Sequence, residues 1–135
     1  MTADRYDRAM AVIASIFVAL AALLHGYIFL MESVWWTRPS TWKRFGVADQ
    51  AAADTTRSMA YNQGFYNLFL GIGAAIGLVL YWAGTMDVGK TLVLFTTACM
   101  VLAALVLTTT GRGYVRAALI QGTLPLIGFV LFALA

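Results

Sequence analysis

Long uncharged apolar runs, broken by short polar segments, set the pattern of this chain. No charged residue interrupts Ala9–Met31, Ser58–Met86, Thr91–Gly111 or Ala117–Ala135. A membrane-spanning helix needs about 20 mostly apolar residues, and each run approaches or exceeds that length. A membrane barrel would instead show alternating segments of about 10 residues, and none is apparent. The pattern predicts an all-α membrane protein of one domain. Its expected architecture is an antiparallel bundle of four transmembrane helices, with spans at about 9–35, 59–81, 90–110 and 114–134.

Residues 36–58 form the one long connection. It opens with Trp36, Arg38, Trp42, Lys43 and Arg44, a mixture suited to the headgroup level, where amphipathic rings and cations sit. Pro39 stops the first helix, because it lacks an N–H and restricts Arg38. Ser40 or Thr41 is the expected cap of a short interfacial helix lying along the surface. Val47–Arg57 reads as a helical lead-in to the second span, while Ala83–Gly89 and Gly111–Gly113 make tight turns.

Composition agrees with this class. Charged residues make up 11% of the chain, against about 25% in soluble domains. Arg5 and Arg8 precede the first run as they would in a signal peptide, but the run outlasts a secretory core of about 7–15 residues. It is read as a span. The single cysteine, Cys99, cannot form an internal disulfide and is expected to act as a small hydrophobe. The net charge of +3 reflects membrane-surface anchors, and no nucleic-acid partner is expected. The long connection and the third-to-fourth turn carry Arg38, Lys43, Arg44, Arg57, Arg112 and Arg116, and the opposite side carries Arg5, Arg8 and Lys90. That bias places the protein in a cell membrane with the 36–58 loop in the cytoplasm and both termini outside. Gly73 and Gly77 form a small-xxx-small pair. It packs helices within the chain or forms the seam of a homodimer.

Candidate chemistry centres on His25, the only histidine, and Glu32, the only glutamate. In a regular helix the two point nearly the same way, about 10 Å apart along the axis. Glu32 ends the first span, Asn62, Gln63, Tyr66 and Asn67 open the second, and Thr108–Thr110 end the third. Tyr114, Arg116 and Gln121 begin the fourth. Antiparallel packing puts all of these on one side. The expectation is a polar pocket facing the 36–58 loop, with His25 deeper on its wall and Trp36 among its candidate residues. Each member also has a structural reading. Glu32 is solvated at the interface or paired with Arg112 or Arg116. His25 is a satisfied packing residue, and the amides cross-link helices at about 0.6–2 kcal/mol each. One histidine and one glutamate fall short of a zinc set, so no metal is expected. No phosphate loop or dinucleotide fingerprint implies a cofactor.

These residues carry a family resemblance. His25-x-x-x-Phe29-x-x-Glu32 is followed by Trp35 and Trp36, Phe45 lies in the connection, and Asn62-Gln63-Gly64-x-Tyr66-Asn67 opens the second span. With these motifs the chain resembles the small integral membrane proteins grouped as domain of unknown function 1304, over nearly its whole length. It departs from them at Ser33, where a methionine is common. The resemblance implies a four-span membrane protein and supplies no activity.

Four functional readings follow. The preferred one is a pocket for a small or lipophilic ligand, with Glu32 as acid or counter-charge, His25 as a second contact, and Asn62 and Gln63 orienting both. Proton-coupled transport is an alternative, although it needs a carboxylate near mid-membrane and Glu32 lies close to one end. A third is intramembrane isomerisation of a sterol- or terpenoid-like lipid by His25 and Glu32. The fourth is a non-catalytic assembly subunit. An enzyme is not the favoured reading.

Overall fold

The apolar runs fold as helices in the computed structural model, which describes residues 2–135. Four helices are long: α1 (Thr2–Phe29), α3 (Gln50–Trp82), α4 (Met86–Thr109) and α5 (Val115–Leu134), while α2 (Pro39–Trp42) is a single turn. No strand occurs among the described residues. Each long helix has the length and apolarity to cross a membrane. Even α5, with 20 residues, measures about 30 Å, the thickness of the hydrocarbon core. Short turns make α3, α4 and α5 antiparallel neighbours, and α1 closes the ring by packing on both α3 and α5.

Small residues face inward and large ones outward. Ala11, Ala14, Ala21, Ala74, Gly71, Gly77 and Ala104 are buried, whereas Leu23, Phe95, Leu105, Leu119 and Leu134 are exposed. Lipid tails are as apolar as leucine, so a bundle in a membrane gains most from close backbone approach. A buried apolar cluster fills the bundle from its middle to the end away from the long connection. There Val18, Val93, Met100 and Phe132 are fully buried, and Tyr81 meets Phe132 edge to face at 5.0 Å. Two buried threonines in α4 donate their hydroxyls to carbonyls of their own helix, Thr96 to Leu92 at 2.8 Å and Thr97 to Val93 at 2.7 Å. Their polarity is satisfied without a partner helix.

The first connection differs from expectation in three ways. The first span does not end as a regular helix, because Leu30–Val34 winds as a π-helix and the Trp35 N–H donates to the Leu30 carbonyl at 2.8 Å. Neither Ser40 nor Thr41 caps the short helix. Pro39 itself opens α2 after an extended Arg38, since the first helical position requires no N–H. Finally, the connection is shorter. Asp49 caps α3 by accepting the Ala52 N–H at 2.8 Å, so the expected lead-in is continuous with the second span. In the next turn, Asp87 and Gly89 belong to the first turn of α4.

Gly73 and Gly77 face α4 of the same chain. A Cβ at Gly73 would lie 2.8 Å from Thr96 Cγ2, and one at Gly77 would lie 2.9 Å from the Val93 nitrogen. Of the two expectations for this pair, the packing of helices within the chain is the one these contacts display. Gly89 completes it, because a Cβ there would run into the Tyr81 backbone and lie 2.7 Å from the Gly77 carbonyl. Backbone stands on both sides and cannot move aside. We therefore expect Gly89→Val to destabilise the bundle by about 3 kcal/mol, seen as a lower thermal midpoint of the detergent-solubilised protein.

Candidate functional site

Along α1 the inward positions follow a seven-residue repeat: Ala11, Ala14, Val18, Ala21, His25 and Ile28 are all buried. Continued regularly, that stripe would bring Glu32 to the next inward station. The π turn intervenes. Its i→i+5 bonding admits an extra residue, so Ser33 takes the inward place and Glu32 rotates aside. Ser33 Oγ donates to the Tyr61 carbonyl at 2.8 Å, while Glu32 Oε2 accepts from Asn67 Nδ2 at 2.9 Å. Asn67 is itself held by a 3.1 Å bond to the Gln63 carbonyl.

Gly64 makes this possible. A Cβ at that position would collide with Ser33 Oγ and lie 3.0 Å from the Ser33 nitrogen and 3.1 Å from Glu32 Cβ. Phe29 and Phe65 meet edge to face beside it, 5.1 Å apart. The two sequence motifs are therefore halves of one contact.

Glu32 opens onto a cleft of about 820 Å³ at the loop end of the bundle. Gln63, Tyr66, Asn67 and Gln121 also reach it. Leu24, Ile28, Leu70, Ala103 and Ile120 make its apolar wall, and Lys43, Arg44 and Phe45 stand at its mouth. The helices that pack tightly at the far end thus leave space between them here.

Three of the expected site residues lie elsewhere. His25 does not border the cleft. Its ring is 0% exposed, and its Nδ1 lies 2.8 Å from the Ala21 carbonyl. A carbonyl only accepts, so Nδ1 carries the proton. Nε2 is then an acceptor, and it has no partner among the described residues. His25 keeps its place in the inward stripe, and the π turn carries Glu32 out of that direction. Trp36 is buried, donating from Nε1 to the Ala53 carbonyl at 2.9 Å and meeting Phe45 edge to face at 5.1 Å. It fastens the connection to α3. Asn62 is exposed and also lies off the cleft.

Of the other residues expected on this side, Tyr114 borders the cleft and Arg116 does not. The hydroxyls of Thr108, Thr109 and Thr110 donate to carbonyls of their own helix end. The Arg112 side chain lies outside the described residues, and with it one of the two ion pairs that the sequence suggested to Glu32. Sequence reasoning passed over the roles of Ser33 and Arg44. Ser33 stood out only as a departure from the family pattern, and Arg44 only as one member of an interfacial cluster.

Four apolar helices of membrane-spanning length, packed against one another, define a multi-pass integral membrane protein. More specifically, the chain belongs to the family described as Protein of unknown function (DUF1304), which matches residues 19–133. The match includes both motifs, from His25 to Glu32 and from Asn62 to Asn67. Comparison with functionally curated proteins and with solved structures found no match.

Within a helix, replacing glycine by alanine ordinarily stabilises by about 0.5–1 kcal/mol. At Gly26 nothing lies within 4 Å of the added Cβ, and Gly26→Ala should raise the thermal midpoint. At Gly64 the collision with Ser33 reverses the sign, and Gly64→Ala should lower stability by about 1–3 kcal/mol. Thermal unfolding of the two variants side by side checks this.

Proposed function

We propose that the loop-end cleft binds a small or lipophilic ligand, with Glu32 as its polar anchor and Asn67 holding the carboxyl in place. The carrying observation is the cleft itself. Its volume of about 820 Å³ lies within the usual range for small-molecule sites, about 300–1,000 Å³. Apolar walls joined to a few convergent polar groups suit a ligand with an alkyl or ring body and one hydroxyl, amide or amine. Glu32 acts as acid or counter-charge, and Gln63 and Gln121 supply further hydrogen bonds.

Two observations favour binding over the other readings. Isomerisation by His25 and Glu32 requires both groups on one substrate, and His25 is sealed away from the cleft. Proton-coupled transport requires access to Glu32 from both sides, and the dense packing of Val18, Val93, Met100 and Phe132 stands across that route. Native mass spectrometry of protein gently extracted from its own membranes tests the proposal. A discrete bound mass is expected on wild type and missing from Glu32→Gln, and an empty chain in both would overturn the reading.

We further propose that the long connection faces the cytoplasm, on the strength of its excess of lysine and arginine. In a Cys99→Ala background, a cysteine introduced by Ala48→Cys should resist a membrane-impermeant maleimide in intact cells. Permeabilised cells should label fully, and labelling of intact cells would reverse the assignment.

A further inference from the structure

A second, smaller pocket of about 210 Å³ lies beside the cleft, between the end of the first span and α2. Arg38, Arg44, Tyr27, Trp35, Ser40 and Thr41 line it. Two arginines thus share this lining, and each is held by an aromatic residue. Arg38 stacks over the Trp35 ring at 5.3 Å from its centroid, and Arg44 Nη1 donates to the Tyr27 hydroxyl at 3.2 Å. No acidic residue lines the pocket among the described residues. The lining carries positive charge without a carboxylate, a complement to an anion.

The chemistry of the lining selects the kind of anion. A guanidinium offers a planar fork of donors that matches the oxygens of a phosphate. Ser40 and Thr41 in the lining carry neutral hydroxyl donors, and the Tyr27 hydroxyl has its oxygen engaged by Arg44. The pocket also sits where Trp35 marks the membrane interface, the level of lipid headgroups. We propose that this pocket binds a phosphate group, either that of an anionic membrane lipid or free phosphate. The pocket adjoins the cleft and shares Tyr27, Met31 and Arg44 with it, but Glu32 is not among its lining residues.

The test uses the full chain, delipidated in a phosphate-free maltoside detergent, with tryptophan fluorescence as readout. Three titrants are compared: dioleoyl phosphatidylglycerol, inorganic phosphate and dioleoyl glycerol, which has the same tails without the phosphate. A saturable change is expected with phosphatidylglycerol and none with dioleoyl glycerol. The change should disappear in Trp35→Phe, which removes the reporting ring. Saturation by the lipid where inorganic phosphate is inert assigns a headgroup site, and saturation by both assigns a free-anion site. Arg38→Gln combined with Arg44→Gln should weaken binding about tenfold or more, as loss of charge-assisted bonds implies. Both arginines are exposed, so this variant should keep the wild-type thermal midpoint. An equal response to dioleoyl glycerol, or no saturable response to either phosphate, overturns the proposal without reference to any variant. Wild-type affinity in the folded double variant overturns it as well.

Discussion

Close approach of helix backbones through residues that have little or no side chain is the constraint on which this bundle depends. Between α3 and α4 the contact is glycine against backbone, with Gly77 and Gly89 facing one another. Between α1 and α3 it is Gly71 against the Ala22 carbonyl, 3.0 Å from where a Cβ would stand, and between α1 and α5 it is Gly128 against Val18. In lipid no hydrophobic force gathers the helices, so the short-range attraction gained at these contacts has to do so. The large apolar side chains are left to face outward. This inverts the pattern of a soluble domain for a simple reason: both sides of the helix are apolar, and only packing density distinguishes them.

The same device, used once more at Gly64, shapes the site. Where α3 lacks a Cβ, the end of α1 can bulge toward it, and the bulge is the π turn. Its consequence is directional. Ser33 is driven against α3, Glu32 is released toward the cleft, and His25 remains in the inward stripe below. A glycine on one helix thus decides where a carboxyl on another helix points. The Phe29–Phe65 and Trp36–Phe45 pairs surround this contact, and the Trp36 bond to Ala53 fixes the connection over it. The direction of the Glu32 carboxyl and the stability of the α1–α3 contact are therefore coupled, since both rest on the same few atoms.

The two ends of the bundle have different characters. Away from the long connection, aromatic and aliphatic side chains fill the ring of helices, and Trp82 Nε1 donates to Ser15 Oγ at 3.0 Å across α1 and α3. At the connection end the ring opens, and polar contacts there join carboxyl to amide, Glu32 with Asn67, and indole to carbonyl, Trp36 with Ala53. His25 Nε2 is a buried ring nitrogen without a partner among the described residues. It lies at the boundary between the filled and the open end. The connection itself does more than join two spans. Arg44 borders both the cleft and the smaller pocket, which also share Tyr27 and Met31, and Arg38 borders the smaller one alone.

Sequence alone determined the class, the four helices, their alternation and the end of the bundle at which polar groups gather. These follow from the lengths of uncharged apolar runs and from the parity of the spans, and neither depends on side-chain direction. It also singled out Glu32, Gln63, Tyr66, Asn67 and Gln121, which do meet at one cleft, because their polarity stands out against apolar surroundings. The tertiary structure alone decided which polar residues face the same space. His25 and Glu32 are two turns apart on paper and belong together only in a regular helix. The insertion that parts them is stabilised by Gly64, on another helix more than thirty residues away, and no local pattern announces it. Trp36 was misplaced for the same reason, since its partner, the carbonyl of Ala53, is a backbone atom that no side-chain pattern reveals. The smaller basic pocket was hidden in a cluster of cations and aromatics that reads only as an interfacial belt until the chain folds back and brings Arg44 to Tyr27.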